Sequence, residues 1–254
     1  MTLGLPVSTM LAFMLVMARV AGLVAFLPLP GFKAAPQSIR AVLAVAVAFA
    51  LFPAWPSPPN DLPSFGALAG MAFAELGFGL AVGLAVAFLT ESFQLAAQVI
   101  GVQAGYGFAS TIDPTSQADS GVLPSMMTLI TGLLFFTTGA DRELIRVLAA
   151  SFEKFPAGSW APSAASLDGV LHLGAGMCTT GLRLAMPVIA LLILIDLALA
   201  LIGRIQQQLH LLSLAFPVKM LAAVAMLAAL APVIARIFEG AVSKTLGTLA
   251  QAMR

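Results

Sequence analysis

FGALAGMAFAELGFGLAVGLAVAFLT, residues 65–90, decides the class of fold. The run exceeds the roughly 20 predominantly apolar residues that cross a bilayer as a helix. Its small residues recur at packing spacing: Gly66–Gly70 and Gly79–Gly83 are both G-x-x-x-G pairs, which let helix backbones approach closely. The one charge in the run, Glu75, is costly at membrane depth unless it is paired or hydrated.

The rest of the chain has the same character. Of its 254 residues, 60% are hydrophobic and 9% charged, with mean hydropathy +1.03. A soluble domain carries about 25% charged residues, so this chain cannot clothe its surface with polar side chains. An integral membrane or membrane-embedded assembly protein follows. The formal net charge of +1, without any Lys/Arg cluster, gives no basis for binding nucleic acid. The N-terminal run 3–32 has no positive residue before Arg19, so it lacks the basic start of a cleavable signal and reads as a retained first span. A second run, 41–55, is short and leads into the Pro-rich PAWPSPPNDLP. Beyond residue 90 lies the ambiguous ESFQLAAQVIGVQAG, with Gln94 and Gln98 on one helix face. Further apolar runs cover 122–138, 184–203 and 220–235. Pro187, Pro217 and Pro232 are expected to kink or break their helices.

DRELIRVLAASFEKF, residues 141–155, predicts an amphipathic helix with Ile145, Leu148, Phe152 and Phe155 as its apolar stripe. The linker PAGSWAPSAAS then divides the chain near residue 160. No strand-like alternation competes with these segments, so the fold is all-α: a membrane-associated helical protein with kinked or broken helices. Basic residues at Lys33 and Arg40 assign the first loop to the cytoplasm. Counting every run as a span then places the acidic segment 91–121 on that same side, and the basic C-terminal tail on the other. The conflict implies that a segment is re-entrant or that some helices are enclosed by other subunits.

No enzyme signature is present, so no catalytic residue is assigned. His172 and His210 lie in separate segments and read as structural residues, so no metal site and no cofactor are expected. Cys178 reads as a small helix-packing residue, and Met126–Met127 as core filler or a soft constriction. Arg19, Glu75 and Asp196 are the intramembrane polar candidates. They fit a buried Arg–carboxylate pair or contact with another subunit, or, in an autonomous proton-coupled or small-solute transporter, acidic groups on a hydrated path.

VQAGYGFASTIDPTSQADSGVLP, residues 102–124, is out of character with its surroundings. Gly101, Gly105, Gly107 and Gly121 free the backbone, and Asp113 before Pro114 favours a turn. An ordinary surface loop would be polar throughout, but Tyr106, Phe108, Ile112 and Val122 are interleaved here, as a loop packed inside a narrow passage requires.

The pattern G-x-Q-x-G-x-x-F-A-x-x-x-D-P, formed by Gly101, Gln103, Gly105, Phe108, Ala109, Asp113 and Pro114, resembles the FliR/SctT family. So do PLPGFKAAPQSIR (28–40), FEKFPAG (152–158) and GRIQQQLHLLSLAFPVK (203–219), in the same order along the chain. The resemblance implies a non-enzymatic core subunit of a type III secretion export gate in the bacterial inner membrane, within the basal body. Its implied partners are FliP-type and FliQ-type subunits, further export-apparatus membrane proteins, membrane lipid and unfolded secretion substrates, flagellar on the look of the motifs. Proton-motive force and a separate ATPase are implied as the energy source. It also implies a FliP-like part at 1–160, containing the pore loop at about 102–122, fused to a FliQ-like helical hairpin and tail at 161–254. By position, the pore plug is Tyr106, Gly107, Phe108, Ala109, Ile112, Asp113, Pro114 and Asp119, hinged at Gly101, Gly105 and Gly121. TSQADSGV is more polar than a tight apolar seal, so Phe108 and Ile112 are the expected sealing groups, with Asp113 and Asp119 facing water.

Overall fold

A computed structural model describes residues 7–28, 36–55, 64–107, 121–161, 164–205 and 211–252. Every regular element among them is helical: α1 (Val7–Ala25), α2 (Gln37–Ala50), a 3-10 turn (Phe52–Ala54), α3 (Phe65–Ala104), α4 (Val122–Thr137), α5 (Ala140–Lys154), α6 (Ala164–Ile205) and α7 (Leu211–Ala252). Four of these (α1, α3, α6, α7) are long and apolar enough to cross a membrane. The pair α4–α5, bent by 64°, makes a fifth if it counts as one broken span.

The ambiguous stretch after residue 90 is helical and continues the opening run, so α3 has 40 residues. Within it Gln94 is half-buried and Gln98 exposed. The prolines sit inside long helices: α6 runs through Pro187 and α7 through both Pro217 and Pro232. The sharp break falls at Thr138–Gly139, where Gly139 takes φ 73°. That left-handed conformation is open to glycine and strained for other residues. α5 restarts there with Asp141 and Glu143 in its first turn and Lys154 in its last, complementing the helix dipole.

Two compact units emerge, and they interleave along the chain: residues 1–89, 135–174 and 241–254 form one, and 90–134 with 175–240 the other. In the first unit α1 lies against α3 through glycine. A Cβ on Gly79 or Gly83 would run into the backbone of Arg19 or Leu23, and one on Gly22 into the backbone of α3. Of the two G-x-x-x-G pairs, only Gly79–Gly83 makes this approach; Gly66 and Gly70 face open space. The buried face of α5 is Leu144, Val147, Leu148, Ser151 and Phe152. The expected stripe is rotated accordingly: Leu148 and Phe152 keep their places, whereas Ile145 is exposed. In the second unit Phe93 packs on Phe238, ring centroids 5.4 Å apart. Cys178, expected to pack between helices, is exposed.

Candidate functional site

Among the described residues each unit holds a polar centre built from residues far apart in sequence. In the first unit α1 carries Arg19 inward and α3 carries Glu75 to meet it, both 0% exposed. Arg19 Nε donates to Glu75 Oε2, and Nη2 donates to Oε1 at 3.0 Å. Arg19 Nη1 donates to Ser151 Oγ at 2.8 Å, and Nη2 also reaches the Phe155 carbonyl at 3.2 Å. The Gly158 N–H donates to Glu75 Oε1 at 2.7 Å. The guanidinium carbon, Cζ, lies over the rings of Phe152 and Phe78, 4.2 and 4.6 Å from their centroids. Cation–π attraction and charge-assisted hydrogen bonds therefore replace the water that this buried charge gives up. The pair is the buried Arg–carboxylate alternative for Arg19 and Glu75. The segment after α5 closes over it: Gly158 (φ 80°) sits against Met71, and Trp160 stacks edge-on to Phe78 at 5.9 Å. Spacing placed Phe155 in the apolar stripe of 141–155 but did not single out Ser151 or Gly158; the FEKFPAG motif (152–158) contains Phe155 and Gly158, and nothing in the sequence pointed to Ser151.

In the second unit the end of α3 is held in place. Its last residues form a glycine-terminated cap: Tyr106 N–H bonds to the Gly101 carbonyl (3.0 Å) and Gly105 N–H to that of Val102 (3.2 Å). Gly105 takes φ 86°, and a Cβ there would meet the Phe216 ring. Gly101 lies within α3 as the cap's acceptor. Gly121 stands just before α4, its carbonyl accepting from Ser125 N–H at 2.8 Å. The Tyr106 hydroxyl donates to the Met220 carbonyl at 3.4 Å, and partial burial pushes its pKa above the usual 10.0. Gln103 Nε2 donates to Asp196 Oδ2 at 3.3 Å. Lys219 Nζ lies 2.9 Å from Asp196 Oδ1 and 3.0 Å from Oδ2. Asp196 is thus paired within its own unit. Lys219 was missed, although it is the single charge in residues 211–235. Of the expected plug, Tyr106 and Gly107 are described; Phe108, Ala109, Ile112, Asp113, Pro114 and Asp119 lie outside the described residues.

In the same unit α4 and α7 line an apolar cavity of about 380 Å³, with Met126, Met127 and Ile130 on one side and Val224, Leu227 and Ala231 on the other. The methionine pair is therefore part cavity wall and part core, Met127 being fully buried. His172 bonds within its own helix, Nδ1 lying 2.9 Å from the Asp168 carbonyl. Among the described residues no group of three or more His, Cys, Asp or Glu is placed to hold a metal ion.

These features define a helical membrane protein whose polar groups fix helices and a loop base to one another. Comparison with known proteins places it more closely. The family model described as bacterial export proteins, family 1, matches residues 10–245, and the chain belongs to that family, the FliR/SctT family of the sequence resemblance. It is 31% identical over 233 residues to flagellar biosynthetic protein FliR of Escherichia coli, covering 91% of this chain and 88% of that protein. The FliR protein of Bacillus subtilis is 26% identical over 242 residues, 94% of this chain and 93% of its own. The surface presentation of antigens protein SpaR of Salmonella typhimurium is 25% identical over 205 residues, 80% and 76% of the two chains.

Proposed function

We propose that this chain is the FliR-type core subunit of a type III secretion export gate. With FliP- and FliQ-type subunits it forms a pore that passes unfolded flagellar proteins across the bacterial inner membrane. In this reading the segment after the G-x-Q-x-G cap, Tyr106–Gly121, fills the pore at rest and is displaced when a substrate enters. The flagellar assignment follows the relatives: the similarity to the Escherichia coli FliR protein is stronger and covers more of both chains than that to SpaR.

The observation that carries the reading is the family match over nearly the whole chain, together with a motif whose glycine ends a helix in a left-handed turn. The state of the carboxylates supports it further. A proton-coupled transporter needs acidic groups free to bind and release protons along a hydrated path. Here Glu75 is held by a buried guanidinium and Asp196 by an ammonium. The large apolar surface left on α6, with Ile193, Leu194, Leu197 and Leu201 all exposed, suits a subunit that is completed by lipid and neighbouring chains.

Co-expression with FliP- and FliQ-type subunits tests the assembly. A tagged chain is expected to purify as one complex whose native mass requires all three. Purification as a stable, substrate-binding monomer or homo-oligomer, with neither partner retained, would overturn the proposal.

A further inference from the structure

Residues 103–106 meet one short stretch of α7, Phe216–Met220. Gly105 abuts the Phe216 ring, and the Tyr106 hydroxyl reaches the Met220 carbonyl. Gln103 bonds the carboxylate of Asp196 on α6, which Lys219 holds through both oxygens. Lys219 is only 12% exposed whereas Asp196 is 43% exposed. The covered ammonium on an apolar helix has its charge met by this carboxylate, and the carboxylate in turn offers an oxygen to the last turn of α3.

From this geometry we propose that Asp196 and Lys219 are positioning residues: they latch the end of α3, and so the start of the Tyr106–Gly121 segment, to α6 and α7. The inference rests on the gate reading given above for the meaning of that segment. Release requires Gln103 to leave the carboxylate, Tyr106 to leave Met220 and Gly105 to leave Phe216. Two of these contacts lie on the Phe216–Met220 stretch of α7, and the third, to Asp196 on α6, is tied to that stretch through Lys219, so a shift of the α3 end strains all of them together. The latch is weak enough to open reversibly, because a half-exposed carboxylate shared between an ammonium and an amide is stabilised only modestly.

The chemistry of Gln103 gives a sign-specific test. An amide both donates and accepts, so exchanging the ionic partners (Asp196→Lys with Lys219→Asp) preserves the bond from Gln103. Gln103→Glu sets like charges together in the native background and opposite charges together in the exchanged one. The readouts, taken on the assembled complex in membranes, are maleimide labelling of Gly107→Cys in a Cys178→Ser background and passive ion leak. In the native background Gln103→Glu is expected to raise labelling roughly fivefold and to increase leak. In the exchanged background both are expected to return to near the wild-type level. Unchanged labelling, or an equal rise in both backgrounds, overturns the latch. Faster labelling without any leak upholds the latch and refutes the segment as a seal. If the exchanged chain does not assemble, Gln103→Leu, which leaves the ion pair intact, is expected to speed labelling; an unaltered rate again overturns the latch.

Discussion

Glu75→Gln removes one charge from the centre of the first unit and leaves Arg19 buried opposite an amide. The loss can be scaled from the contacts. Arg19 makes two of its four hydrogen bonds to Glu75, and neither side chain has any exposure. Stranding one partner of such a pair costs about 3–5 kcal/mol. The Phe78 and Phe152 faces remain against the guanidinium and offset part of this, since a desolvated cation–π contact contributes about 2 kcal/mol. A loss near 3 kcal/mol is therefore expected, a shift of more than a hundredfold in the folding equilibrium. Arg19→Met strands the carboxylate with the Gly158 N–H alone, and should cost toward the upper end, about 5 kcal/mol. Combining Arg19→Met with Glu75→Gln removes both charges and keeps an acceptor for Gly158, so the double variant should be no less stable than the worse single one. The assay is reversible unfolding in mixed detergent micelles, comparing the four chains as a double-mutant cycle. Singles that unfold like wild type, or losses that simply add, would refute the account of this centre.

Four further outcomes follow from the glycines and the tyrosine. Gly79→Ala drives a methyl group into the backbone of α1 and should destabilise the chain by about 1–3 kcal/mol. Gly70→Ala, in open space, should be neutral or stabilising by up to about 1 kcal/mol; the same unfolding assay ranks the two. Gly105→Ala places a Cβ at positive φ and against Phe216, and is expected to lose about 1–2 kcal/mol from backbone strain alone. Tyr106 is the chain's single tyrosine, so its ultraviolet ionisation curve reads one group. The midpoint should lie above 10.0 in the folded chain, because burial disfavours phenolate, and return to about 10 on unfolding. This small contribution to stability is present below pH 10 and is lost as pH rises through the folded midpoint. A folded midpoint at or below the unfolded one would contradict the packing of Tyr106.

The helical class was legible because apolar runs longer than a membrane span leave few alternatives; the cost of charge at that depth drew attention to Arg19 and Glu75 but left open whether they pair with each other. Helix continuity was harder to read. Proline was expected to kink or break helices; α6 and α7 continue through theirs without a break, and the sharp bend falls at Thr138–Gly139. Proline removes one donor and crowds one turn, whereas a glycine at positive φ reverses the local backbone. Residue pairing was hardest to see, because it is set by tertiary register. Nothing local in α6 or α7 says that Asp196 meets Lys219, or that Gln103 joins them. The two G-x-x-x-G pairs of α3 are identical as patterns, and only the placement of α1 distinguishes Gly79–Gly83 from Gly66–Gly70.

The central claim is that Tyr106–Gly121 closes a protein-conducting pore. Its most direct test is the passive ion conductance of membranes carrying the assembled complex, with and without that segment, at matched amounts of complex. The account predicts that deletion leaves assembly intact and makes the membranes conduct. A deleted complex that assembles fully and stays ion-tight would contradict it.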